Sequence, residues 1–208
     1  MSTNICWARW LAAACAIVVL ALGSALVIVS ITLSRVSAVP GTGSADAGFA
    51  RDMAVHHQQA VELSLIVRDR TDDDDVRRLA YDIVNTQANQ RGMLLGRLAV
   101  WGLPKSSQHP PMAWMGRHDM HQRPHQGNLM PGMATSSQIE ALRKAEGPAA
   151  EVLYLQLLTE HHRAGVEMAR SGSTLATDPL VKDLAASMLR GQQAEIALMA
   201  KLLEQRGS

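Results

Sequence analysis

The feature that most constrains the fold is an internal repeat. Residues 53–63 read "MAVHHQQAVEL" and residues 158–168 read "LTEHHRAGVEM", so that His56-His57 aligns with His161-His162 at an offset of 105 residues. The same offset continues without a gap for roughly fifty residues, from Asp73 with Asp178 as far as the late glycines of both copies. The chain is therefore interpreted as two copies of one structural unit.

Each copy has the hydrophobic spacing of two helices rather than the alternation of strands. The first copy predicts a helix from about Ala45 to Arg70, then a second helix capped by "TDDDD" that stops near Gly102. In the second copy, Pro148 and the Asp178-Pro179 pair mark two helix starts, and a capping box in "TSSQIEAL" predicts a short helix before them. Since aromatic residues make up only 3% of the chain, the core must be aliphatic. The predicted fold is all-α: a four-helix bundle of two duplicated hairpins over residues 48–206.

An uncharged apolar segment precedes the repeat. It runs for 24 residues from Trp10 to Leu33 between two arginines. As a helix it would measure about 36 Å, against roughly 30 Å for the apolar core of a bilayer. It predicts a membrane anchor in residues 1–38, a linker at 39–47 and a single-pass protein of the cell membrane whose C-terminal domain lies outside the cytoplasm. A signal peptide cleaved after Ala38 is the alternative.

Composition excludes several functional classes. Both cysteines, Cys6 and Cys15, precede the repeat, so it has neither a disulfide framework nor a thiolate metal site. Lys and Arg number 20 against 19 Asp and Glu, which argues against nucleic acid as a partner. There is no nucleophile elbow or phosphate loop, and no carboxylate stands three residues before the paired histidines, as a di-iron bundle would need. We therefore expect a binding protein and not an enzyme.

The segment that joins the two copies, residues 104–133, is rich in methionine and histidine. Nine of its thirty residues carry a thioether or an imidazole, and prolines and glycines predict a long loop. Soft thioether sulfur and borderline imidazole, without thiols, suit copper as Cu(I) or Cu(II), whereas zinc more often has cysteine or carboxylate ligands. A Met-rich flap that shields apolar surface is the other interpretation. The predicted ligands in the loop are Met112, Met115, His118, Met120, His121, His125, Met130 and Met133.

The histidine pairs predict a second place for a metal ion. Because adjacent helical residues diverge by about 100°, we expect one member of each pair to face inward and the other sideways. Met53 shares a face with the first pair, and Met168 lies two turns along the stripe from His161. Hydrogen-bonded core histidines are the alternative. The predicted ligands on the helices are Met53, His56, His57, His161, His162 and Met168, with Gln87, Gln90, Gln192 and Glu195 as hydrogen-bond partners.

These residues together resemble the bacterial family called "domain of unknown function 305". The resemblance covers about residues 48–206 and rests on the two His-His pairs, the Leu-Ala pairs that begin at Leu79 and Leu184, and the phrase "MPGMATSSQIEALRKAEGPAAEVLYLQLLTEHH". It implies a ferritin-like bundle of two similar hairpins, secreted or membrane-anchored, and a link to copper binding and tolerance. The first copy departs from the pattern, with Leu63 and Gln90 where the second copy has Met168 and Glu195.

The function predicted from the sequence is copper binding for metal capture or tolerance, by a membrane-anchored domain outside the cytoplasm. The implied partners are a metal ion and the membrane, with a homo-oligomer also open. A structural or accessory subunit of a membrane protein complex is the alternative. A metal-dependent oxidase is the third class, and turnover with oxygen would reveal it.

Overall fold

The computed structural model describes residues 17–24, 26, 39–116 and 130–207 of the chain. These residues contain helices and no strand, so the all-helical prediction is confirmed. The chain separates into two compact units, Met1–Val39 and Pro40–Ser208. In the first unit, residues 17–24 are helical.

The predicted single-pass location in the cell membrane is wrong. A membrane span needs about 20 consecutive, predominantly apolar helical residues. Within the described residues, no helix reaches the length and apolarity needed to cross a bilayer. Most of the predicted anchor, from Trp10 to Leu33, lies outside the described residues.

The described residues of the second unit form four long helices, one short helix and one 3₁₀ turn. In chain order they are α1 Ala45–Arg68, α2 Asp74–Val100, the 3₁₀ turn Ala113–Met115, α3 Ser136–Lys144, α4 Gly147–Leu175 and α5 Pro179–Glu204. The first hairpin pairs α1 with α2, the second pairs α4 with α5, and α1 also packs against α4. The short α3 contacts α1 and α4, and a 3₁₀ turn follows the first hairpin. The ferritin-like four-helix bundle stays a prediction.

The helices begin where the sequence places their caps. Asp73 accepts a hydrogen bond from the backbone of Val76 at 2.9 Å, and its repeat partner Asp178 accepts from the backbone of Val181 at 3.1 Å. Each carboxylate thereby satisfies an N–H group that has no partner inside the helix. Thr135 forms the predicted capping box at the start of α3. The two copies therefore share the aspartate cap at the start of their second helix as well as the apolar pattern.

The core consists of two apolar clusters separated by polar side chains. One cluster is built mainly from Leu, Ile, Val and Ala of the second half of α1 and the first halves of α2 and α4. The other, here called the methionine cluster, contains buried Met53, Met130, Met168 and Met188, with Met112 and Met133 packed against it. Between the clusters every long helix contributes two polar residues. This polar layer comprises His56, His57, Gln87, Gln90, His161, His162, Gln192 and Glu195.

Candidate metal site

All four paired histidines are fully buried. The rings of His56 and His161 face each other across the contact of α1 with α4, with centroids 3.7 Å apart and planes inclined by 31°. His57 and His162 turn instead toward the second helix of their own hairpins. The expected divergence within each pair is therefore accommodated by two different helix interfaces. Because both interfaces are packed, the sideways member of each pair is buried as well.

The two sideways histidines have equivalent partners. Nε2 of His57 lies 2.8 Å from Oε1 of Gln90, and Nε2 of His162 lies 2.8 Å from Oε2 of Glu195. In both cases the ring N–H donates to a side-chain oxygen on the neighbouring helix. The hydrogen-bonding role predicted for Gln90 and Glu195 is confirmed. An acceptor in this position fixes both the orientation and the tautomer of an imidazole.

The two inward histidines donate to backbone oxygens. Nε2 of His161 lies 3.0 Å from the carbonyl oxygen of His56, and Nε2 of His56 lies 3.3 Å from the carbonyl oxygen of Pro131. A carbonyl oxygen can only accept a hydrogen bond, so in both rings Nε2 carries the hydrogen. The repeat symmetry is broken at this point, since Pro131 belongs to the segment that joins the two copies.

The other ring nitrogen, Nδ1, is an unused acceptor in all four histidines. A neutral imidazole has one N–H, so a ring that donates from Nε2 keeps a lone pair on Nδ1. Within the described residues none of the four Nδ1 atoms has a hydrogen-bond partner. Leaving a buried acceptor unsatisfied costs about 1–3 kcal/mol. Four such atoms in one layer point to a ligand that accepts electron pairs.

Burial keeps three of these rings, His56, His57 and His161, neutral. It lowers the pKa of His56 to about 3 and that of His57 to about 4, against an ordinary value of 6.5. Burial, reinforced by the neighbouring His56, also places the pKa of His161 well below 6.5. Protons therefore do not occupy the Nδ1 lone pairs of these three rings near neutral pH. A metal ion can use them without displacing a proton.

The two buried glutamines add further polar atoms without partners. Neither amide atom of Gln192 has a hydrogen-bond partner among the described residues, and the same holds for Oε1 of Gln87. Gln192 lies against Gly165, where an added Cβ would be only 2.1 Å from its Oε1. The repeat partner of this glycine is Ala60, so only the second copy leaves that space.

Most of the buried methionines lie on one side of the polar layer, in the methionine cluster. Met53 and Met168 lie on α1 and α4, the helices that carry the histidines. Met188 joins the same cluster from α5. The sequence analysis missed Met188 as a candidate, and the repeat gives no signal for it because its partner is Ile83.

The end of the Met-rich segment covers this region. Met130 is buried and Met133 is partly buried, on either side of the carbonyl of Pro131 that receives the N–H of His56. Gly132 has a φ of 73°, and a Cβ there would lie 2.5 Å from the backbone oxygen of Glu160. Only glycine allows so close an approach. The turn is thus fitted to the surface of α4.

The start of the segment is also held against the helices. Asp52 accepts hydrogen bonds from the backbone of Met112 at 2.7 Å and from the indole of Trp114 at 2.8 Å. Met115 is buried and Met112 is partly buried. For the described ends of the loop, the methionines therefore shield apolar surface. The remaining predicted ligands, namely His118, Met120, His121 and His125, lie outside the described residues.

The donor set favours a soft metal ion. In the described ranges there is no group of three or more His, Cys, Asp or Glu side chains that could hold a metal ion. A metal site in the polar layer would therefore need thioether sulfur to complete its ligands. Imidazole with thioether, in the absence of thiolate, is a ligand set for copper rather than for zinc or a hard cation.

The fold and the layer together define an all-helical protein in which buried neutral imidazoles lie beside methionine side chains. The chain belongs to the family named Domain of unknown function (DUF305), whose model matches residues 46–203. No functionally curated protein has a matching sequence.

Solved structures share this fold. A DUF305 protein from Streptomyces coelicolor, described as a candidate secreted protein, is 56% identical, with 81% of this chain and 97% of that chain covered and a TM-score of 0.74. A DUF305 fragment from Deinococcus radiodurans is 28% identical, with coverage of 77% and 96% and a TM-score of 0.63. The protein CopM in its Cu(I)-bound form is 19% identical, with coverage of 77% and 96% and a TM-score of 0.58.

Proposed function

We propose that this protein binds copper as Cu(I) where the polar layer meets the methionine cluster, and that it serves metal capture or tolerance. The observation that carries the proposal is the set of four buried Nδ1 atoms without partners, each on a ring that Nε2 already orients. Metal-binding histidines almost always donate their second nitrogen to an oxygen in this way. The hydrogen bonds that orient metal-binding histidines are thus already present in the protein without a metal ion.

Solved structures with the same fold support a soft metal ion. CopM is described in Cu(I)-bound, Cu(II)-bound and Ag-bound forms. Silver and Cu(I) are both soft and prefer thioether and imidazole, which are the donors gathered here. The Streptomyces coelicolor relative, as a candidate secreted protein, supports capture of the metal outside the cytoplasm.

Binding is proposed rather than catalysis, and the ferritin-like bundle is the proposed scaffold. The donors lie in a buried layer between two apolar clusters, which suits retention of an ion more than access of a substrate. We further propose that the middle of the Met-rich segment supplies weaker sites for initial capture. The prolines and glycines of the segment predict a loop, and fixing loop backbone on binding costs about 1–2 kcal/mol per residue, so such sites should bind less tightly than donors on helices. The donors proposed there are His118, Met120, His121 and His125.

Anaerobic Cu(I) titration of the purified full-length chain against a competing chelator tests the proposal. The double variant His57→Gln with His162→Gln removes two Nδ1 donors and keeps polar side chains in the layer. We expect its tightest Cu(I) affinity to fall by at least about tenfold, or 1.4 kcal/mol. The matched control is His109→Gln, which replaces an exposed histidine outside the layer and should leave that affinity unchanged.

A second pair of variants tests the thioethers. Met168→Leu with Met188→Leu preserves volume in the core, so packing should change little. We expect Cu(I) affinity to fall while the helical content stays constant, whereas Met93→Leu on the exposed face of α2 should have no effect. Equal Cu(I) affinity in the core variants and their controls would contradict the proposal and would favour a purely structural layer.

A further inference from the structure

The two copies differ in charge at one equivalent position of the polar layer. Gln90 and Glu195 are repeat partners, and each accepts the N–H of its histidine at 2.8 Å. The distance between the imidazole Nε2 and its oxygen acceptor is therefore the same in the two copies. The neutral amide beside His57 corresponds to a carboxylate beside His162.

The charge of Glu195 is directed at His162. Its side chain is 22% exposed, and its partner ring is fully buried. Among the described residues, no Lys or Arg forms an ion pair with this carboxylate. The field of Glu195 is thus not neutralised by a nearby cation within the part of the chain that the structure describes.

We infer that this difference raises the ratio of Cu(II) to Cu(I) affinity for copper bound at Nδ1 of His162, compared with copper bound at Nδ1 of His57 beside the neutral Gln90. The inference rests on the proposed function. Glu195 and Gln90 are positioning residues here, since they act on the metal through an imidazole and need not touch it.

Electrostatics sets the size of the effect. Cu(II) carries one more unit of charge than Cu(I), and a metal on Nδ1 of His162 would be roughly 7 Å from the carboxylate, given a metal–nitrogen bond of about 2 Å. With an effective dielectric constant of about 20, one extra unit charge at that distance gains a factor of about 50 in affinity. The carboxylate strengthens the binding of both ions. The ratio of Cu(II) to Cu(I) affinity is therefore the quantity that changes.

Near-isosteric exchanges in the two copies provide the test. In the full-length chain, Glu195→Gln keeps an oxygen acceptor and removes the charge, and Gln90→Glu does the reverse. We expect the first exchange to lower the affinity ratio of the His162 side by about 50-fold, which corresponds to about 100 mV in the potential of a one-electron couple. Gln90→Glu should raise the ratio on the His57 side by a similar factor. Glu204→Gln, an exposed carboxylate on the same helix, is the control for net charge.

Separate titrations with Cu(II) and Cu(I) chelators give the ratio, and voltammetry gives the potential. Introducing Glu195→Gln into a His162→Gln background should then have no effect, because no metal is bound at Nδ1 of His162 for the charge to act on. An unchanged ratio in both exchanges, or the same shift in the Glu204→Gln control, would overturn the inference while leaving copper binding intact. Absence of copper binding by the wild-type chain would instead overturn the proposed function and the inference with it.

Discussion

Acidification should destabilise the metal-free protein, because folding places imidazoles where they cannot be protonated. Three of the buried histidines, His56, His57 and His161, have a pKa lowered by burial. In the unfolded chain each would titrate near 6.5. At low pH the unfolded state therefore binds more protons than the folded state. This difference in proton binding shifts the equilibrium toward the unfolded state as the pH falls.

The magnitude follows from these pKa values. Stability is fully present above pH 6.5 and is lost as the pH falls from 6.5 toward the folded values of about 3 for His56 and about 4 for His57. At pH 5 an unfolded imidazole is almost completely protonated while its folded counterpart is neutral, which is a difference of about 2 kcal/mol per histidine. His56 and His57 together give about 4 kcal/mol between pH 7.5 and pH 5, and His161 adds to the loss in the same direction. Since domains are typically stable by about 5–15 kcal/mol, the protein should be close to unfolding at pH 5.

Urea unfolding followed by circular dichroism, in chelator and at several values from pH 7.5 to pH 5, measures this loss. Carboxylates also contribute to acid unfolding, so a variant comparison is needed to isolate the imidazoles. His57→Gln should reduce the pH-dependent loss by about 2 kcal/mol, whereas His109→Gln at an exposed site should not change it. A free energy of unfolding that is flat between pH 7 and pH 5 would refute the reasoning. So would an imidazole of His56 or His57 that titrates near 6.5 in the folded protein.

Three further predictions concern the scaffold and are read from urea unfolding at pH 7.5. Gly132→Ala should lower the free energy of unfolding by at least about 2 kcal/mol, because Gly132 has a left-handed backbone and lies against α4. Its control is Gly92→Ala, which is exposed on α2 with nothing within 4 Å and should raise the free energy of unfolding by about 0.5–1 kcal/mol. The reverse order of stability would contradict the account. Thr135→Ala should lose about 1 kcal/mol with its capping box, and an unchanged midpoint would show the cap to be dispensable. Asp46→Ala should lower the free energy of unfolding by about 3 kcal/mol, because the buried carboxylate of Asp46 accepts three hydrogen bonds from the α4–α5 turn. A loss below about 1 kcal/mol would mean that water replaces the carboxylate as the acceptor.

The helical hairpins could be predicted from sequence because their determinants are local. Asp73, Asp178 and Thr135 act within one turn of their own positions, and an apolar helical face is visible in any window of the chain. The repeat added long-range information, since an offset shared by two histidine pairs places them in equivalent environments. Both the all-helical class and the family assignment followed from these signals.

The site was less accessible to sequence reasoning because it depends on packing between helices. Helical periodicity shows that His56 and His57 diverge, but not that a second helix covers the sideways ring. The contact of Pro131 with His56 and the placement of Met188 arise from tertiary structure and have no counterpart in the repeat. The membrane prediction rested on the length of an apolar segment alone. A long apolar segment in a sequence is only a candidate for a membrane span. None of the helices that the structure describes is long and apolar enough to cross a bilayer.

Nitrogen-15 NMR of histidine-labelled protein tests the central claim most directly, because each ring nitrogen is observed separately. In the metal-free protein at neutral pH, the rings of His56, His57 and His161 should each show a protonated Nε2 and an unprotonated Nδ1. Addition of Cu(I) under anaerobic conditions should shift Nδ1 resonances of these rings and leave their Nε2–H groups in place. Protonated Nδ1 in the metal-free state, or Cu(I)-induced shifts confined to histidines outside the polar layer, would contradict the account.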